Sequence, residues 1–189
     1  MVESQDWKDS TFFEGLNTQQ LETIASVSRT LDVEEGFLFF AEGDQVDHLY
    51  LILQGRVDIC LDVVEERTEA SANKPLAVME EDDYENRPLE DASAEPLCNE
   101  FLSVCCLNQG DVFGWTALLP PYMTHAGALA RSTCRILAID ARQLEVAFQS
   151  DPQFGYKMAI KTGQLVRDRV RDLRLQSVRQ SRRSHQVRI

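Results

Sequence analysis

The chain has 189 residues, of which 43% are hydrophobic and 8% aromatic, and its formal net charge is −12. This length and composition fit one globular domain with appendages and exclude a disordered chain. No apolar run reaches the length of about 18 residues that a transmembrane helix needs, and the N-terminus lacks the basic and apolar regions of a secretory signal.

The charge is unevenly distributed along the chain. Residues 62–100 contain thirteen acids against three bases, whereas residues 157–189 contain ten bases and two acids. We interpret residues 63–100, which also hold three prolines, as an acidic and mobile insertion, and residues 177–189 as a solvated basic tail. The overall acidity argues against nucleic acid as a partner, although the basic tail alone does not. Five cysteines without disulfide-scaffold spacing indicate reduced thiols and a cytoplasmic location.

Helical and strand patterns alternate along the first two thirds of the chain. Residues 11–30 are predicted to be helical, because Asn17 and Thr18 are good N-cap residues ahead of an apolar stripe. Short apolar runs separated by glycines then predict strands, and Gln54-Gly55 predicts a tight hairpin between the second and the third. The predicted strands are 37–40, 49–53, 57–61, 101–107 and 135–139, with a further piece at 76–79.

The last third of the chain is predicted to form two helices. Asp140 can cap a helix over 141–149, and Asp151-Pro152 can start a long one over 151–176. Val166, Val170 and Leu173 keep the spacing of a seam between two helices, which predicts a homodimer; the alternative is a helix packed on its own barrel. Residues 1–176 are therefore predicted to form one α+β domain. Its body is an antiparallel β-roll or jelly-roll of about eight strands, flanked by N-terminal helices and a long C-terminal helix.

Three glycine-punctuated stretches carry a family resemblance. They are EEGFLFFAEGDQVDHLYLILQGRVDICL, LNQGDVFGWTALL and STCRILAIDARQLEVAFQSDP. Together they resemble the cyclic-nucleotide-binding domain, the sensor module of catabolite-activator regulators, cyclic-nucleotide-dependent kinases and gated channels. The resemblance covers residues 12–62 and 101–176. It implies a non-enzymatic sensor or regulatory domain, with a ligand that orders the segment 113–128, here called the cassette, and repacks the helices after it.

The resemblance also implies a ligand site that departs from the family pattern. In the family, backbone N–H groups and an arginine bind the cyclic phosphate, and a glutamate accepts from the ribose hydroxyl. Here the glutamate position is Trp115, and the arginine position falls on Thr124 or His125. Each hydrogen bond to a charged group contributes roughly 1.5–3 kcal/mol, so cyclic AMP binding is predicted to be altered or lost. The implied cassette residues are Phe113, Gly114, Trp115, Thr116, Ala117, Thr124, His125 and Ala126.

Several alternatives stay open at this point. Trp115 either fills the ribose space, which we prefer, or stacks on a ligand ring, and the ligand is either a cyclic nucleotide or another small anionic molecule. The sequence F-G-W followed by two prolines resembles a branch of bacterial cyclic-nucleotide-domain proteins. A ligand-free adaptor whose acidic insertion docks a basic partner is the main alternative function, and a transcription regulator acting through its basic tail is a weaker one.

Other chemistry has little support in the sequence. Cys98, Cys105 and Cys106 lack metal-site spacing, and adjacent residues of a strand point to opposite faces. His48 and His125 are weak candidates for a haem ligand, of the kind that gas-sensing relatives use. No nucleophile–base arrangement or P-loop is present, so we expect no enzyme activity and no metal. Only about a dozen residues follow the long helix, which is too few for a helix-turn-helix domain, so we expect no specific DNA binding.

Overall fold

The computed structural model describes residues 7–8, 10–62 and 101–186, and the side chains of 175–186 are not among the features described. The described residues up to Leu61 and from Ser103 onward belong to one compact unit. The expected insertion at 63–100, the strand expected at 76–79 and Cys98 lie outside the described residues.

Among the described residues, eight strands form two four-stranded sheets. The strands are β1 (Ser28–Val33), β2 (Leu38–Phe40), β3 (His48–Gln54), β4 (Val57–Asp62), β5 (Phe101–Leu107), β6 (Val112–Phe113), β7 (Gly127–Ala130) and β8 (Cys134–Asp140). The first sheet has the order β1-β8-β3-β6 and the second the order β2-β7-β4-β5. The expected α+β fold with an antiparallel roll of about eight strands is confirmed.

In the part of the chain that the structure describes, two hydrophobic cores flank the first sheet, one on each side. Tyr50 and Ile52 of β3 point into a core between the two sheets, here called the inter-sheet core. Leu49 and Leu51 of the same strand point into a second core, the helix-side core, formed with the helices. Because successive side chains of a strand alternate between faces, one short apolar strand serves both layers.

Three α-helices within the described residues cover the first sheet. They are α1 (Thr18–Ser26), α2 (Ala141–Ser150) and α3 (Pro152–Gln186). Asn17 and Gln20 form a capping box at the start of α1, and Asp140 caps α2 as expected. Phe154 and Met158, in the first turns of α3, are buried in the helix-side core. None of the described helices is long and apolar enough to cross a bilayer.

Two helix predictions differ from the structure. The helix expected over 11–30 is shorter, because Thr11–Phe13 form a separate 3-10 turn and residues 28–30 belong to β1. Pairing of β1 with β8 from Ser28↔Ile139 to Val33↔Cys134 outweighs the local helical pattern. The long helix continues ten residues past the expected end near Gln176, so most of the expected tail 177–189 is helical.

The turn at Gly55 forms, but it does not make the expected hairpin. β3 lies in the first sheet and β4 in the second, so the turn carries the chain from one sheet to the other. Gly55 has φ +96°, and a Cβ there would lie 2.5 Å from the carbonyl oxygen of Thr133. The same glycine signal therefore serves a crossing between sheets, which a local pattern cannot distinguish from a hairpin.

Candidate functional site

Gly114 begins the cassette turn with a backbone conformation that other residues rarely adopt. It has φ 71° and ψ 20° and precedes a 3-10 turn over Trp115–Leu118. A Cβ at this position would lie 2.7 Å from the carbonyl oxygen of His48 and 2.8 Å from Cδ2 of Tyr50. The cassette therefore touches β3 directly at a point where only glycine fits without displacing its neighbours.

Aromatic rings pack between the sheets directly beneath this turn. Tyr50 and Phe113 stack with ring centroids 4.9 Å apart and an interplanar angle of 16°, and Phe39 packs edge-on to Phe113 at 5.0 Å. Ala117 of the cassette is 3% exposed and joins the same inter-sheet core. Burial raises the pKa of Tyr50 above its ordinary value. Sequence reasoning placed Phe39 and Tyr50 on strands but did not foresee that they would fill this space together.

Trp115 packs in the other direction, against the helix-side core. It is half-buried there, next to the layer that contains Leu144 of α2 and Phe154 of α3. Its ring therefore links the cassette turn to the helices. That Trp115 fills a ribose space stays a prediction. The aromatic rings in the inter-sheet core belong to Phe39, Tyr50 and Phe113 and not to Trp115.

Thr124 and His125 differ sharply in their environments. Thr124 is 6% exposed, and its hydroxyl donates to the carbonyl of Ala126 at 2.6 Å and accepts from the N–H of Ala126 at 3.3 Å. Its backbone pairs with the loop after β2, since its N–H donates to the carbonyl of Asp44 and its carbonyl accepts from Gly43. His125 is exposed. Of the two residues at the arginine position, Thr124 uses its hydroxyl for hydrogen bonds within its own loop, and His125 is exposed to solvent.

Tyr122 joins the cassette to α2 and was not singled out from the sequence. Its hydroxyl donates to Oε1 of Glu145 at 3.2 Å, and burial together with this carboxylate raises the pKa of Tyr122. The residue has φ 64°, which is rare for a residue with a Cβ. Its carbonyl accepts from the N–H of Val46 at 2.9 Å. No sequence signal identified this bond, because Glu145 lies 23 residues farther along the chain, on a different element.

The remaining candidates lie in two different sheets, His48 on β3 of the first and Cys105 with Cys106 on β5 of the second. The ring of His48 stacks on Tyr50 at 6.0 Å, and its hydrogen bond holds the pKa of Asp47 below its ordinary value. Cys105 is half-buried and Cys106 exposed, in keeping with opposite faces of β5. Burial raises the pKa of the Cys105 thiol, which disfavours its thiolate form.

The residues of the expected dimer seam lie on α3. Val170 is 43% and Leu173 42% exposed, while Val166 is half-buried. Exposure on this face is compatible with the seam, and the homodimer itself stays a prediction.

Solved structures match this architecture, although no protein-family model and no curated protein matches the chain. A candidate cyclic-nucleotide-binding protein from Geobacter metallireducens GS-15 is similar with a TM-score of 0.64 at 20% identity, over 90% of this chain and 99% of that one. A cyclic-nucleotide-binding domain from Methylobacillus flagellatus KT gives 0.63 at 16% identity, over 89% and 76% of the two chains. The fold is that of the cyclic-nucleotide-binding domain.

The catabolite activator protein of Thermus thermophilus has the same cyclic-nucleotide-binding fold. Its TM-score is 0.56 at 20% identity, over 88% of this chain and 62% of that one. At such identities the similarity shows the cyclic-nucleotide-binding fold alone. What this version of the fold binds has to be argued from its cassette.

Proposed function

We propose that this chain is a non-enzymatic regulatory domain of the cyclic-nucleotide-binding type in which binding of cyclic AMP is altered or lost. The observation that carries the proposal is the state of the cassette. Its backbone frame is retained around Gly114, whereas the positions of the two charged anchors hold Trp115, which packs against the helix-side core, and Thr124-His125. Without a charged partner for phosphate, affinity should fall by at least about tenfold for each lost charge-assisted hydrogen bond.

The contacts between cassette and helices support a signalling role. Tyr122 reaches α2 through Glu145, and Phe148 of α2 packs on Phe154 of α3 with ring centroids 5.0 Å apart. A ligand that prefers one arrangement of the cassette would therefore shift the population of helix arrangements. The partner that reads this change would be a second copy, through Val166, Val170 and Leu173, or another protein. A cytoplasmic location and a bacterial source are part of the same proposal.

A ligand-free adaptor is the second candidate. The specific observation in its favour is the aromatic packing beneath the cassette, where Phe39, Tyr50 and Phe113 occupy the inter-sheet core. In this case the cassette would be a fixed part of the fold, and its contacts with α2 would hold the helices in one arrangement.

Calorimetric titration with cyclic AMP and cyclic GMP tests the proposal. The wild-type chain should bind neither nucleotide in the micromolar range, and a micromolar dissociation constant would contradict altered or lost binding. His125 is exposed, so His125→Arg should not disturb folding, and it returns a cation to the anchor position. We expect this variant to bind cyclic AMP at least about tenfold more tightly than the matched His125→Gln variant.

The same variants separate the sensor from the adaptor. A retained site predicts saturable stabilisation of the wild-type chain by some small anion in a thermal-shift panel, and loss of that stabilisation on substitution of His125. If neither the panel nor His125→Arg with cyclic AMP changes the melting temperature, the cassette is closed and the adaptor is the better description.

A further inference from the structure

The outward side of α3 carries an apolar stripe that the rest of the described chain leaves open. Tyr156 is 69%, Val170 43% and Leu173 42% exposed. A Cβ added to Gly163 would meet nothing within 4 Å, so the backbone of a second helix has room to approach there. The stripe repeats with alternating steps of three and four residues, the spacing of a two-helix seam. Its members are Tyr156, Ala159, Gly163, Val166, Val170 and Leu173.

This stripe is distinct from the side of α3 that packs on the sheets. Phe154, Met158 and Leu165 pack in the helix-side core. At about 100° per residue, the centre of the stripe lies roughly 130° around the helix from the centre of these three side chains. A helix that docks on the stripe would therefore not compete with the packing of α3 on its own domain.

Arginines flank the stripe on both sides. Arg167 directly follows Val166 and Arg174 directly follows Leu173, so both occupy the same flanking position in successive repeats, and both are exposed. Arg169 lies on the other flank, where it donates to Sγ of Cys105 at 3.4 Å. Arg167 has an exposed partner in its neighbour Asp168 at 2.8 Å, a kind of pair that contributes little to stability and is readily exchanged.

A second copy of this helix would bring arginine against arginine. In a parallel pair of these helices, Arg169 of one copy would face Arg174 of the other. In an antiparallel pair, the side that carries Arg167 and Arg174 would face the same side of the other copy. Like charges at flanking positions oppose pairing, whereas acidic side chains there favour it and set partner choice. We propose that the stripe binds an acidic amphipathic helix of a protein partner in preference to a second copy. This inference does not depend on whether the cassette binds a ligand.

Two synthetic helical peptides and the full chain test the proposal. Both peptides carry leucine at the seam positions; one has glutamate and the other lysine at the flanking positions. Fluorescence anisotropy at low salt should show binding of the glutamate peptide at least about tenfold tighter than that of the lysine peptide, with a smaller difference at high salt. Val170→Ser should weaken binding of the glutamate peptide. Val146→Ser, on α2 at a residue 63% exposed, is the matched control and should leave it unchanged.

Charge reversal distinguishes the two occupants. Arg167→Glu with Arg174→Glu should reverse the preference and favour the lysine peptide. Analytical sedimentation should show that the wild-type chain is monomeric at the concentrations at which it binds the glutamate peptide. Equal binding of both peptides, or no binding, would overturn the proposal. A wild-type dimer would also overturn it if Val170→Ser dissociates that dimer and the glutamate peptide does not. That outcome would assign the stripe to a second copy of the chain.

Discussion

Substitution of Gly114 by alanine tests the contact between the cassette turn and β3. The φ of 71° costs a residue with a Cβ roughly 1–2 kcal/mol. The new Cβ would also lie 2.7 Å from a backbone oxygen of His48, which cannot rotate away, and 2.8 Å from the ring of Tyr50. Overpacking of this kind typically costs about 1–3 kcal/mol. We therefore expect a loss of about 2–5 kcal/mol, which for a chain of this length corresponds to a fall in melting temperature of roughly 5–20 °C.

Gly110→Ala is the matched control for this measurement. Gly110 has φ +88°, and a Cβ there would meet nothing within 4 Å, so the variant should lose only the conformational part of about 1–2 kcal/mol. Urea unfolding of both variants, followed by tryptophan fluorescence, gives the steric part as the difference between them. If Gly114→Ala is no less stable than Gly110→Ala, the close approach of cassette and β3 is not a feature of the folded chain and the reasoning fails.

Three further substitutions probe other parts of the domain. Burial raises the pKa of Asp58, yet hydrogen bonds from Ser103 and Arg131 hold it below the ordinary value. The pair with Arg131 therefore stabilises the fold near neutral pH and ceases to do so as the pH falls through the lowered pKa. Arg131→Met should cost about 1–2 kcal/mol near pH 7 and much less near pH 2, and a pH-independent loss in urea unfolding would contradict this. Thr124→Val should cost about 1–2 kcal/mol, because its buried hydroxyl bonds to the backbone two residues on; Thr124→Ser, which keeps the bonds, should retain most of the stability. Gly163→Ala, in an open helical position, should instead stabilise by about 0.5–1 kcal/mol, and a lower melting temperature would refute that.

The sequence was sufficient for the strands that carry long apolar runs and for the helices with clear caps. The runs at 49–53 and 135–139 became β3 and β8, and Asp140 caps α2. β6 and β7 were not predicted, since a two-residue strand and the small residues GALA carry little periodic signal. The first half of β1, residues 28–30, was taken as helix because only pairing with β8, distant in sequence, makes it a strand.

The cassette could be located from its glycines, but the directions of its side chains could not. Trp115 faces the helices and Ala117 the inter-sheet core because the 3-10 turn after Gly114 sets which residue points to which layer. The bond between Tyr122 and Glu145 likewise joins residues from two elements whose approach no local pattern encodes. Such directions depend on the tertiary arrangement, so sequence reasoning could name the cassette without describing its contacts.

The length of α3 gives small movements of the helices a large reach. Arg169 of α3 still contacts Cys105 of β5, and the helix continues from there to Gln186, about 26 Å farther at 1.5 Å per residue. A rotation of roughly 5° about the contact at Arg169 would move the far end by about 2 Å, from the geometry of a rigid helix of this rise. A small rotation of α3 on its domain would therefore be read at the end of the helix as a displacement of about 2 Å.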